Sequence, residues 1–148
     1  MKKVLLIAAL LAAFSASAVE VGVNGGGVTG SQAGGLAAVT VGQKFDKFGV
    51  EAGYGQAWLS DSTQNRFSLV GSYDVYTTEQ FVVAGKVGYV YLNNASQTSG
   101  SAATVGLGIT VPVDQNWALT ADYAYQMAQT GVTQFNGNIL TAGVKYKF

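Results

Sequence analysis

The chain has 148 residues, enough for one domain, with Lys and Arg balancing Asp and Glu at a formal charge of zero. Charged residues make up 11%, well below a soluble domain's usual share of roughly 25%. The composition offers no basic patch for nucleic acid, no cysteine for a disulfide or thiol chemistry, and no histidine for acid–base or metal work.

The first element is a targeting segment. Met1-Lys2-Lys3 is basic, Val4 to Phe14 is uninterruptedly apolar, and Ala16-Ser17-Ala18 supplies a small-x-small cleavage site. That order is the layout of a secretory signal peptide, with Ala16 and Ala18 flanking the cut. The apolar run is too short to span a bilayer, which needs about 20 residues. The expected division is 1–18 as cleaved signal peptide and 19–148 as one mature domain.

From Val19 onward the pattern has period two, the mark of strands with unlike faces. The first strand is the weakest, with Val19, Val21 and Val23 opposing Glu20, Gly22 and Asn24 before a glycine run. Then come Ala37 to Phe45, Phe48 to Trp58, Phe67 to Val75, Phe81 to Tyr91, Ala103 to Val113, Trp117 to Met127 and Asn138 to Phe148. In each, a bulky apolar face opposes one of Gly, Ala, Thr and Ser. The bulky faces carry no charge. The opposite faces carry nine: Glu20, Lys44, Glu51, Arg66, Asp74, Lys86, Asp122, Lys145 and Lys147.

A soluble sandwich also alternates, but its polar face should be rich in long charged side chains. Small residues with sparse charges suit the lumen of a narrow closed barrel. An uncharged aromatic face suits lipid, where a midplane charge costs about 2–4 kcal/mol. A spanning sheet must also close on itself, because its edges find no water to bond. Aromatics fall at two heights. Phe45, Phe48, Tyr73, Phe81, Trp117, Tyr146 and Phe148 share the end bearing the termini, and Trp58, Phe67, Tyr89, Tyr91 and Tyr125 share the other. Two such girdles flank the apolar band of an outer-membrane barrel. Short turns at Asp46-Lys47, Thr77 to Gln80 and Asp114 to Asn116 alternate with longer connections at Thr29 to Gly34, Ser60 to Asn65, Asn93 to Ser101 and Ala128 to Phe135. The expected fold is all-β, an eight-stranded antiparallel up-and-down transmembrane β-barrel. Its expected surroundings are outer-membrane lipid, as a monomer in the bacterial outer membrane.

Little here can do chemistry. Glu51, Asp74 and Asp122 could form a carboxylate pair, but charges sharing one narrow lumen must pair with one another. The expected arrangement is a lumen network of Glu51, Arg66, Asp74, Lys86, Asp122 and Lys145, with Glu20, Lys44 and Lys147 solvated near the mouth. Neither metal nor cofactor is expected. Gly25-Gly26-Gly27 precedes no helix and no P-loop lysine, so it is no phosphate loop.

The mature chain resembles the small eight-stranded outer-membrane barrel proteins, the OmpA/OmpX-like group. The most specific part is the last strand, ending Tyr146-Lys147-Phe148. The resemblance implies that Leu140, Val144, Tyr146 and Phe148 form the C-terminal assembly signal read by the outer-membrane insertion machinery. Barrel enzymes similar in architecture (lipid A acyltransferases, deacylases and omptin-type proteases) each use a histidine, which this chain lacks. No C-terminal peptidoglycan-binding domain is expected after the barrel, and the loops are shorter than those of adhesin-like members. The functions left are a structural or barrier barrel with a plugged lumen, a narrow ion or water pore, and adhesin-like surface recognition. A soluble periplasmic ligand-binding barrel is the competing class.

Overall fold

A computed structural model describes residues 19–30, 32–60, 62–94, 99–129 and 136–148. The proposed signal peptide, with Ala16 and Ala18, lies outside the described residues, as do Asp61 and Phe135. Eight strands follow in order: β1 (Val19–Gly30), β2 (Gly34–Phe45), β3 (Phe48–Leu59), β4 (Thr63–Thr77), β5 (Val82–Asn94), β6 (Ser99–Pro112), β7 (Trp117–Gln129) and β8 (Gly137–Lys147). Each pairs antiparallel with its sequence neighbours, and β1 pairs with β8 to close the barrel. Closure satisfies the backbone of every strand edge, which lipid demands.

The register fixes the barrel's geometry. One row of partners runs from Glu20 through Gly42, Glu51, Val70, Gly88, Thr104, Gln126 and Gly137, and returns to β1 at Gly30. The start and finish differ by ten residues, a shear of 10 over eight strands. Such a stagger tilts the strands by roughly 40° and leaves an interior that side chains can fill.

The alternation read from the sequence is the alternation of the barrel wall. Val39, Leu69, Val87, Leu107, Leu119 and Leu140 are exposed outward, and no described outward position of a strand carries a charge. All nine strand charges stand on the inward register. Of the outward amides, Gln56 donates to Asn65 at 3.3 Å. Aromatic rings meet along the terminal rim, Phe48 on Tyr73 at 4.9 Å and Trp117 on Tyr146 at 4.8 Å.

Two expectations need correction. A bulge between Asp74 and Tyr76 sets two consecutive residues, Val75 and Tyr76, on the outer face. Tyr76 thus joins the terminal girdle, 5.9 Å from Phe81, where a strict period of two would turn it inward. The strands also run further than the alternation suggested. They leave residues 31–33, 60–62, 95–98 and 130–136 as connections at the loop end. Only the last exceeds the turns at the terminal end, because pairing of polar residues such as Gln64 with Asn94 continues the ladder past the apolar band.

The glycine run lies inside β1. There β8 approaches so closely that a methyl on Gly26 would strike the Leu140 carbonyl. Crowding accounts for Gly26, whereas side chains at Gly25 and Gly27 would meet only ordinary contacts.

Candidate functional site: the lumen

Three lysines anchor the terminal half of the lumen, and each reaches over a strand that offers it room. Lys86 on β5 crosses β6 to Asp122 on β7, with Nζ 2.6 Å from the carboxylate. It passes above Gly108, where a methyl would collide with Asp122 Oδ1 and Lys86 Cε. Lys44 on β2 crosses β3 to Asp74 on β4 at 2.6 Å. Lys145 on β8 spans β1 and β2 to Glu51 on β3 at 2.5 Å, and lies 3.9 Å from Glu20. Its path runs beside Gly22, and Gly42 leaves space beside Glu51. Large side chains at these glycines would close the passage that Lys86 and Lys145 need.

Of the six residues expected to form one network, five make ion pairs: Glu51, Asp74, Lys86, Asp122 and Lys145. They form separate pairs rather than one web. Lys44, expected at the solvated mouth, is the partner of Asp74 and belongs to the set. Glu20 lies in the same cluster, beside Lys145. Arg66 stands apart. Its guanidinium donates to Gln126 Oε1 at 2.6 Å, across the lumen from β4 to β7. Among the described residues, no carboxylate lies within ion-pair distance of it.

The loop half is filled differently. Leu36, Ala57 and Ile139 form one buried apolar cluster, with Val28 and Leu59 against it. Val90, Leu92 and Ala102 form a second. Leu92 is fully buried, and Gln64 is 1% exposed. A lumen of small residues with sparse charges was expected; the structure adds apolar clusters toward the loop end, where Gln64, Arg66 and Gln126 are the buried polar side chains. The signal was present in the inward positions of the strands. Val28, Leu36, Leu59, Val90, Leu92 and Ile139 interrupt the small-residue pattern, and all sit toward the loop end.

Three cavities follow the axis. One of about 70 Å³ lies among the terminal ion pairs. A central one of about 140 Å³ reaches from Glu51 and Lys86 to Arg66. The third, of about 10 Å³, lies at the loop end between Arg66, Gln64 and Gln32. Buried hydroxyl and amide groups line the space between, as where Thr120 Oγ1 meets Asn24 Oδ1 at 3.3 Å. Among the described residues no cluster of His, Cys, Asp and Glu is suited to a metal ion.

The C-terminal strand is firmly held. Lys147 N donates to Asn116 O at 2.8 Å, and Phe148 N to Val19 O at 3.0 Å. Tyr146 lies 4.8 Å from both Trp117 and Phe148, edge to face. Leu140, Val144 and Phe148 are exposed on the outer face, Phe148 to 73%.

No family model and no curated protein matches the chain. Solved structures do. The chain is similar to Neisserial surface protein A, with 15% identity, a TM-score of 0.67, and coverage of 88% of this chain and 96% of that one. It is similar to a major outer membrane protein from Thermus thermophilus, with 13% identity, a TM-score of 0.60, and coverage of 88% and 99%. It is also similar to the outer membrane enzyme PagL, with 15% identity, a TM-score of 0.55, and coverage of 87% and 98%. At these identities the likeness is one of fold. The fold and its uncharged outer belt are those of a small eight-stranded barrel of the bacterial outer membrane. Because the fold serves an enzyme in one case and a surface protein in another, activity has to be argued from the lumen and loops.

Proposed function

We propose that this protein is a structural, barrier-type barrel of the outer membrane whose lumen is largely plugged. The single observation that carries the reading is the filling of the lumen: two apolar clusters in one half and lysine–carboxylate pairs in the other. Eight strands leave an interior about as wide as its own side chains. With no histidine in the chain, the lumen also lacks the usual general base to activate its serine and threonine hydroxyls. Residues 1–18 serve export and are removed. Both ends of the mature barrel then face the periplasm. The outward row Leu140, Val144, Tyr146 and Phe148 serves as the signal for the insertion machinery. The mature barrel works as a monomer surrounded by lipid.

The test is recording in planar bilayers with the refolded mature chain. Insertion without conductance steps is the expected result. Discrete, reproducible steps would overturn the plugged reading. They would favour a narrow ion or water pore, the second reading, which draws on the three cavities spaced along the axis. For the terminus, Phe148→Asp is expected to leave most of the protein without the heat-modifiable folded form on a denaturing gel. Normal assembly of that variant would remove the assembly role from Phe148.

A further inference from the structure

We propose that Arg66 and Gln64 form a binding site for one small monovalent anion, of about the size of chloride, at the loop end of the lumen. Three observations meet there. Arg66 is 7% exposed, and among the described residues its side-chain acceptor is the neutral Gln126 amide. A guanidinium carries five N–H donors and a full charge, so most of its capacity is unspent. The inward-facing lysines Lys44, Lys86 and Lys145 each have a carboxylate beside them. A buried charge without a counter-charge is costly, and an anion relieves that cost where a neutral water does not.

Gln64 supplies the second observation. It stands two residues before Arg66 on the same inward face of β4, and its Nε2 is buried with no acceptor among the described residues. Buried amide donors are rarely left so. The third is the space itself. Both side chains line one cavity of about 10 Å³, whose remaining walls include Val28, Leu59 and Gln32. That volume is scaled to one water-sized occupant and excludes phosphate or sulfate; a halide, wider than water, is seated only if the flexible Gln32 and Gln64 amide ends give by a few tenths of an ångström. The Gln32 Oε1 in this wall also lacks a donor among the described residues. Turning that amide end for end, which preserves its shape, presents a third donor to the same space. Among the described residues no acidic side chain lines the cavity. The site depends on this local geometry alone, whether or not the lumen conducts.

The refolded barrel in detergent tests it, with sodium chloride replacing sodium gluconate at constant ionic strength. The side-chain N–H signals of Arg66 and Gln64 are expected to shift saturably with chloride and to stay fixed in gluconate. Crystals soaked in sodium bromide are expected to give an anomalous peak between the two side chains. Arg66→Met abolishes both effects. Gln64→Leu keeps the charge and weakens binding by about tenfold, the worth of one hydrogen bond to a charged group; it serves also if Arg66→Met fails to fold. Shifts that rise linearly and alike in both salts would overturn the proposal. So would a bromide peak elsewhere only, or Gln64→Leu binding chloride as the parent does.

Discussion

Between its terminal end and its loop end, the lumen changes from paired charges to apolar packing. The lysine pairs stand around cavities of about 70 and 140 Å³, with several polar atoms in reach of water. The larger of the two runs on into the loop half as far as Leu36, Val90, Ile139 and Arg66, and beyond it the loop end keeps about 10 Å³ and buries Leu92, Ala57 and Ala102 completely. Both halves solve the same problem of filling a narrow tube, by different means. Ion pairs hold the wall by linking strands that are not neighbours, with specificity set by where glycine leaves passage. Apolar clusters hold it by volume, as a soluble core does. An outer-membrane barrel of this size thus has two interiors: its lipid-facing belt is merely compatible with lipid, and cohesion comes from within.

The comparison can be broken at either half. The largest effect is expected at Lys145, which faces both Glu51 and Glu20. Lys145→Met leaves two carboxylates without a cation and should cost about 3–5 kcal/mol. Unfolding in urea, followed by the heat-modifiable gel shift, measures it. The double variant with Glu51→Gln should recover much of the loss, because the pair itself contributes little beyond mutual compensation. A double variant as unstable as the single would show that Lys145 acts through its packing.

In the loop half, Leu92→Ala should cost about 2–5 kcal/mol through the cavity it leaves. It should also raise water permeation in liposome swelling, since the plug loses its fully buried apolar side chain. An unchanged swelling rate would move the barrier to the terminal half. The smallest effect is expected at Lys44, whose side chain is 36% exposed at the mouth. Lys44→Met leaves Asp74, 9% exposed, without its cation and should cost about 1–3 kcal/mol, with part of that cost screened away at high salt. A cost as large as that of Lys145→Met would make the mouth part of the sealed interior.

Strands and faces were legible in the chain alone. Period two is a local property, and lipid tolerates no charge on one face, so Leu69, Val87 and Leu119 had to point out and Glu51, Arg66 and Lys86 in. The girdles were legible for the same reason, except Tyr76. A bulge shifts phase by one residue, and nothing in Val75-Tyr76 alone announces it. Which charge meets which emerged only in the closed barrel. Lys145 and Glu51 are 94 positions apart on strands that are not adjacent. Their meeting depends on a shear of 10, which is the sum of every strand's offset round the barrel. The split of the lumen into two halves has the same origin. Alternation assigns a residue to the inside, and its place along the strand to one end of the barrel, but neither says which residues it meets there. Leu36, Leu92 and Ile139 become a plug only when stagger brings distant strands to one level. The separation of Arg66 from every described carboxylate follows from that same stagger.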